Sequence, residues 1–126
     1  MTAFALVRHG ETDWNRARRI QGATDIPLND TGREQARAAG RVVAGRAWSR
    51  IVASPLVRAA ETARLIAEAA GLAAPELDDA FVERNYGEAE GLTGAELDER
   101  FPAGVDVPGR EAREAVGDRV VAALHR

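Results

Sequence analysis

AFALVRHGETDWN, residues 3–15, sets the expected architecture of the chain. Residues 3–7 are a short apolar run that reads as a buried strand, and Gly10 follows at once in a turn. Arg8, His9 and Gly10 therefore stand where a strand ends. In open α/β sheets, ligands bind beyond the carboxyl ends of the strands, so this is the first place to look for a site.

Residues 9–29 keep no sustained period and contain Gly22, Asp25, Pro27 and Asn29, which predicts a long, mostly irregular loop. Helical spacing of Ala36, Ala39, Val43 and Ala47 then predicts a helix from Asp30 or Thr31, either of which can cap it, to about Ala47. Residues 51–53 read as a second strand. Ser54 as N-cap and Pro55 at the first helical position start a helix with Leu56, Ala60, Ala63 and Ala67 on one stripe, which Gly71 ends. An extended piece is expected near residues 80–83. Thr93 and Glu96 form a capping box for a short helix before Pro102, and Ala112, Val116, Val120 and Leu124 mark a last amphipathic helix. Strand, helix, strand, helix implies an α/β domain with parallel strands and covering helices, although two or three strands make a thin sheet.

The composition bounds the chemistry. A chain of 126 residues is the length of one domain. Aromatic residues are 5% while alanine occurs 26 times, so the core must be built from small aliphatic side chains. With no cysteine there is no disulfide, thiolate metal site or cysteine nucleophile. All 17 basic residues are arginine, which removes a Schiff-base lysine and a P-loop lysine. His9 and His125 are the only histidines, too few for a histidine-built metal site without carboxylate help, and neither metal nor cofactor is expected. The net charge of −3 argues against a nucleic-acid partner. No apolar run reaches membrane-spanning length and the opening residues lack signal-peptide character, so no membrane partner and a cytoplasmic location are expected.

Arg58 falls in the first turn of the helix after the second strand. Taken singly, Arg8 and His9 read as ordinary loop residues and Arg58 as a solvated helix residue. If the two strands are neighbours, however, two guanidinium groups and an imidazole converge beside a helix N-terminus. Bidentate arginine bonds, free backbone N–H groups and the helix dipole would then all favour an anion.

Four ordered blocks carry a resemblance that spans essentially the whole chain: LVRHGETDWN at 6–15, QGATDIPLNDTGREQA at 21–36, ASPLVRAAETA at 53–63 and ERNYGEAEG at 83–91. Together they resemble the histidine phosphatase superfamily, in the branch of the cofactor-dependent phosphoglycerate mutases and related phosphatases. The resemblance implies a three-layer α/β/α fold with a mostly parallel sheet. It implies His9 as nucleophile through a phosphohistidine, with its other ring nitrogen held by a backbone carbonyl, and Arg8 and Arg58 as charge-neutralising phosphate ligands. It implies Glu83 as general acid, a role that calls for burial to raise its pKa. Glu11 falls in the motif turn rather than in the acid role. Gly10, Glu11, Thr12, Asn15, Gln21 and Gly22 match the phosphate and substrate pocket, and Tyr86 matches a substrate-side position or serves the core.

The family's second histidine, in a Ser-His-Gly segment after a strand, has no counterpart before residue 126. His125 follows Leu124 near the end of a helix, and reads as a surface residue. The fold is therefore expected to be incomplete at the C-terminus, either as a fragment or with another copy filling the gap as a homodimer or strand-swapped pair. The activity this implies is a phosphomonoesterase acting on a small phosphorylated metabolite. Two alternatives stand beside it: a phosphoglycerate mutase-type phosphoryl transfer, which the lack of any basic residue between Arg84 and Arg100 disfavours, and an inactive phosphate-binding or interaction module.

Overall fold

The computed structural model describes residues 3–125. Its helices are α1 (Asp13–Arg16), α2 (Asp30–Val43), α3 (Val57–Ala70), α4 (Gly94–Arg100) and α5 (Arg113–Leu124), and its strands are β1 (Val52–Ala53) and β2 (Glu76–Leu77). Single 3-10 turns occupy Asp79–Phe81 and Gly87–Ala89. The two strands pair in parallel, Val52 opposite Glu76 and Ala53 opposite Leu77, with α3 as the crossover between them. Bonds from Glu76 N to Ile51 O and from Asp78 N to Ala53 O, both 2.9 Å, hold this pairing. The α/β class read from the sequence is what forms, with the parallel sheet reduced to one pair.

Helices α2 and α3 pack on each other at close range. A Cβ at Gly40 would lie 2.6 Å from the Ala69 Cβ, so only glycine lets the two backbones approach this far. The buried apolar residues are mostly alanine (Ala36, Ala53, Ala63, Ala67, Ala89 and Ala123), joined by Leu28, Leu65, Ile66 and Val107, as the alanine-heavy composition requires. Helix α5 lies against the 79–81 turn, to which Arg119 donates a hydrogen bond at the Ala80 carbonyl.

Several expectations are corrected. Residues 3–7 form no strand among the described residues. They lie exposed, with Phe4 64% and Leu6 87% accessible, and make no backbone hydrogen bond to another segment among the described residues. Helix α2 is capped by Asn29, not Asp30 or Thr31: the Asn29 side chain accepts the Gly32 N–H at 2.8 Å. It ends at Val43, where the Trp48 indole N–H takes the freed carbonyl at 3.0 Å, rather than at Ala47. Ser54 does not cap α3. Its hydroxyl accepts the Leu56 N–H at 3.1 Å in a local turn, which delays the helix to Val57. The extended piece lies earlier than residues 80–83: Asp78 accepts the Ala80 N–H at 2.9 Å and closes a 3-10 turn there instead. The Gly71 stop, in left-handed conformation at φ +69°, and the Thr93–Glu96 capping box form as read.

Candidate active site

The turn after residues 3–8 is built by close backbone packing. The Gly10 N–H donates to the Thr62 hydroxyl at 3.0 Å, and that hydroxyl donates to the Arg58 carbonyl one turn back on α3 at 2.6 Å. This bolts the His9–Gly10 peptide to the face of α3 that carries Arg58. The His9 Nδ1 lies 2.7 Å from the Gly10 carbonyl oxygen. A carbonyl only accepts, so Nδ1 carries the proton and Nε2 keeps its lone pair. Burial holds the His9 pKa below its ordinary 6.5, and the nearby Arg58 and Arg8 charges act the same way; the Gly10 carbonyl and Glu83 oppose them. The half-buried imidazole is thus kept neutral beside two cations.

Arg58 is 1% exposed, a buried guanidinium at the floor of the site. It donates to the carbonyls of Thr24, at 2.6 Å, and Gly22, so the 22–24 loop holds it from one side. Burial lowers its pKa, while Glu83, Asp25 and Glu90 oppose that shift. Asp25 also accepts the Val57 N–H at 2.7 Å, which docks the same loop on the first turn of α3.

Thr12 is fully buried and caps α1 in a reciprocal box with Asn15: Thr12 N donates to Asn15 Oδ1 at 3.0 Å and Asn15 N to Thr12 Oγ1 at 3.1 Å. The Thr12 hydroxyl in turn donates to the Gln21 side-chain oxygen Oε1. The capping box therefore sets the orientation of both side chains, Asn15 and Gln21, that line the cavity. Glu11 has a scaffold position: its backbone N–H donates to Gln35 at 2.9 Å and its carboxylate accepts from Asn29 at 2.9 Å.

One cavity of about 1420 Å³ brings Arg8, His9, Asn15, Gln21, Gly22, Arg58, Glu83 and Tyr86 together, and continues along an apolar trough past Phe4, Leu6, Ile66, Val116 and Val120. Gly10, Glu11 and Thr12, expected in the pocket, do not line it; Gly10 and Thr12 are buried. Arg8 is exposed at the rim. Glu83 lines the cavity but is exposed, against the burial expected of it, because its carboxylate folds back onto the Arg84 N–H at 2.7 Å. Tyr86 is half-buried with the Arg84 guanidinium 5.1 Å above its ring. His125 is exposed at the C-cap of α5.

Sequence reading missed Thr62, Gly32 and Glu90. Thr62 had a signal, since it stands four residues after Arg58 and so on the same helix face. Gly32 and Glu90 act across the fold, on Glu11 and on the 22–24 loop, and no local pattern marks them.

Known proteins resemble this chain in sequence and in fold. The family model of the histidine phosphatase superfamily (branch 1) matches residues 4–126. The chain is 49% identical over 124 residues to the uncharacterized phosphatase PhoE of Bacillus subtilis (strain 168), covering 98% of this chain and 63% of that protein. It is 37% identical over 133 residues to the probable phosphoglycerate mutase GpmB of Salmonella choleraesuis (strain SC-B67), covering 98% and 62%. The solved structure of a mycobacterial glucosyl-3-phosphoglycerate phosphatase complexed with VO3 superposes with a TM-score of 0.83 at 36% identity, over 93% of this chain and 61% of that one. The chain spans less than two thirds of the length of each of these relatives. Among the described residues no helix is long and apolar enough to cross a membrane. On the match over residues 4–126 and these likenesses, the chain belongs to the histidine phosphatase superfamily, branch 1.

Proposed function

We propose that the chain carries the phosphoryl-transfer centre of a soluble, cytoplasmic phosphomonoesterase that works through a phosphohistidine at His9 on a small phosphorylated metabolite. One observation supports the reading: His9 has Nδ1 tied to the Gly10 carbonyl, which leaves Nε2 as a neutral nucleophile in the cavity that Arg8 and Arg58 also line. In the first step Nε2 attacks phosphorus, the P–O bond to the leaving group breaks, and Glu83 gives the departing oxygen its proton. The Nδ1–H stays on the Gly10 carbonyl and steadies the imidazolium that forms. In the second step water attacks phosphorus, the P–N bond breaks, the water proton returns to Glu83, and phosphate leaves. Arg8 and the buried Arg58 offset charge on the phosphoryl oxygens throughout.

Hydrolysis is favoured over mutase-type transfer by the commitments of Arg84. Its Nε donates to the Glu111 carbonyl at 2.8 Å and its guanidinium lies over Tyr86, so it is engaged within the fold rather than presented to a substrate. A second reading, a phosphate-binding module without turnover, is favoured by the exposed Glu83 and the uncovered residues 3–7. Turnover of para-nitrophenyl phosphate by this chain beside His9→Ala separates the two. Hydrolysis that His9→Ala loses by at least about 10²-fold supports the phosphatase. Rates equal to the control, with phosphate still bound, support the module.

A further inference from the structure

Glu90 is half-buried, stands seven residues beyond Glu83, and is used by none of the steps above. Its carboxylate nonetheless collects hydrogen bonds from two separate segments. Oε2 accepts the Ala23 N–H and the Tyr86 N–H, both at 2.9 Å, and Oε1 accepts the Thr24 hydroxyl. The approach is possible because residue 22 is glycine: a Cβ there would lie 2.7 Å from the Glu90 carboxyl carbon, and Gly22 takes φ +54°. The loop segment that Glu90 gathers is the one whose Gly22 and Thr24 carbonyls hold the Arg58 guanidinium. The Tyr86 bond ties in the segment that begins at Glu83.

We propose that Glu90 is a positioning residue for the phosphate site, its carboxylate fixing the 22–24 loop so that the loop carbonyls hold the Arg58 guanidinium in the cavity that His9 lines. A carboxylate suits the task because it accepts from three donors at once and donates to none. The negative charge also lies close enough to Arg58 to act on it through space, but the hydrogen-bonded loop is the route assigned here. This inference rests on the proposed phosphate chemistry only in its binding arm.

The experiment compares wild type with Glu90→Ala, Glu90→Gln, Arg58→Ala and the Glu90→Ala/Arg58→Ala double variant, reading inorganic phosphate affinity by calorimetry and exchange of the Arg58 guanidinium N–H protons by NMR. Glu90→Ala should weaken phosphate binding by about tenfold and release the Arg58 protons to fast exchange. It should add nothing further in the Arg58→Ala background. Glu90→Gln should stay within about threefold of wild type, since its amide oxygen accepts both N–H groups and the Thr24 hydroxyl can turn to accept from the amide nitrogen. A residue that only stabilised the fold would lower the melting temperature and leave phosphate affinity unchanged where the protein is folded; that result overturns the proposal. So does an equal loss with and without Arg58, or a Glu90→Gln variant as weak as Glu90→Ala. If wild type takes up no phosphate, the phosphate chemistry falls, and the exchange arm still decides the role of Glu90: Arg58 protons that stay protected in Glu90→Ala refute it.

Discussion

Gly10 and Gly32 meet backbone to backbone, with no room for a side chain on either. A Cβ on Gly10 would lie 2.8 Å from the Gly32 Cα, and a Cβ on Gly32 would lie 2.8 Å from the Glu11 nitrogen. The first turn of α2 is thereby pressed against the turn that carries His9. Gly32→Ala should cost about 3 kcal/mol, because both partners are backbone and cannot rotate away. Gly117→Ala, in α5 with open space around it, should instead stabilise by about 0.5–1 kcal/mol. Urea unfolding of the two variants checks the contrast, and equal midpoints would refute the close packing.

Thr62 joins the His9 turn to α3 through one hydroxyl that both accepts and donates. Thr62→Val keeps the shape and leaves the buried Gly10 N–H without a partner, at about 1–3 kcal/mol. Because Gly10 also holds the His9 ring, phosphate affinity should fall alongside stability. Thr62→Ser, which restores the hydroxyl, should recover both. A Thr62→Val protein with wild-type stability and affinity would show that the bond carries neither.

Much of this site was legible because its signals are local or ordered along the chain. The Thr93–Glu96 box and the Gly71 stop depend on residues within one helical turn, and His9, Arg58 and Glu83 sit in motifs that keep their order. Strands were read less well, because a strand exists only through its partner. Residues 3–7 have strand composition and no hydrogen-bonded partner among the described residues, while Glu76–Leu77, with ordinary composition, pairs because α3 returns it beside β1. The scaffold bonds were illegible for a related reason: Glu90 acts across 67 residues on Ala23, and Thr62 across 52 on Gly10. The expected burial of Glu83 failed on geometry that only the fold supplies, the turn of its carboxylate onto the Arg84 N–H.

The lowered pKa of His9 sets a pH dependence. Burial, then Arg58 and Arg8, disfavour the imidazolium, so the folded value lies below the ordinary 6.5. The unfolded chain therefore binds the proton first as pH falls, and His9 lowers stability between about pH 6.5 and its folded value. Activity should follow the same group. The acid limb of kcat/KM should lie below pH 6.5, and Arg8→Gln, which removes one depressing charge, should move that limb upward. With His125 as the only other histidine, NMR titration of the two imidazoles gives the value directly. A His9 midpoint at or above 6.5 would contradict the electrostatics of the site.

An apolar trough lies beside the site. Leu6 is 87% exposed and Phe4 64%, Val7 and Val52 are exposed beside them, and no backbone bond joins residues 3–9 to another strand among the described residues. Uncovered apolar surface next to unpaired backbone favours association, here by pairing of two copies along this segment. Light scattering after size exclusion should show a concentration-dependent dimer. Leu6→Glu should return it to monomer, and should change monomer stability by no more than about 0.5 kcal/mol because the side chain it replaces is already in solvent. A wild-type chain that runs as a clean monomer at every concentration and melts cooperatively would remove the pairing, and a dimer that survives Leu6→Glu would place the contact elsewhere on the surface.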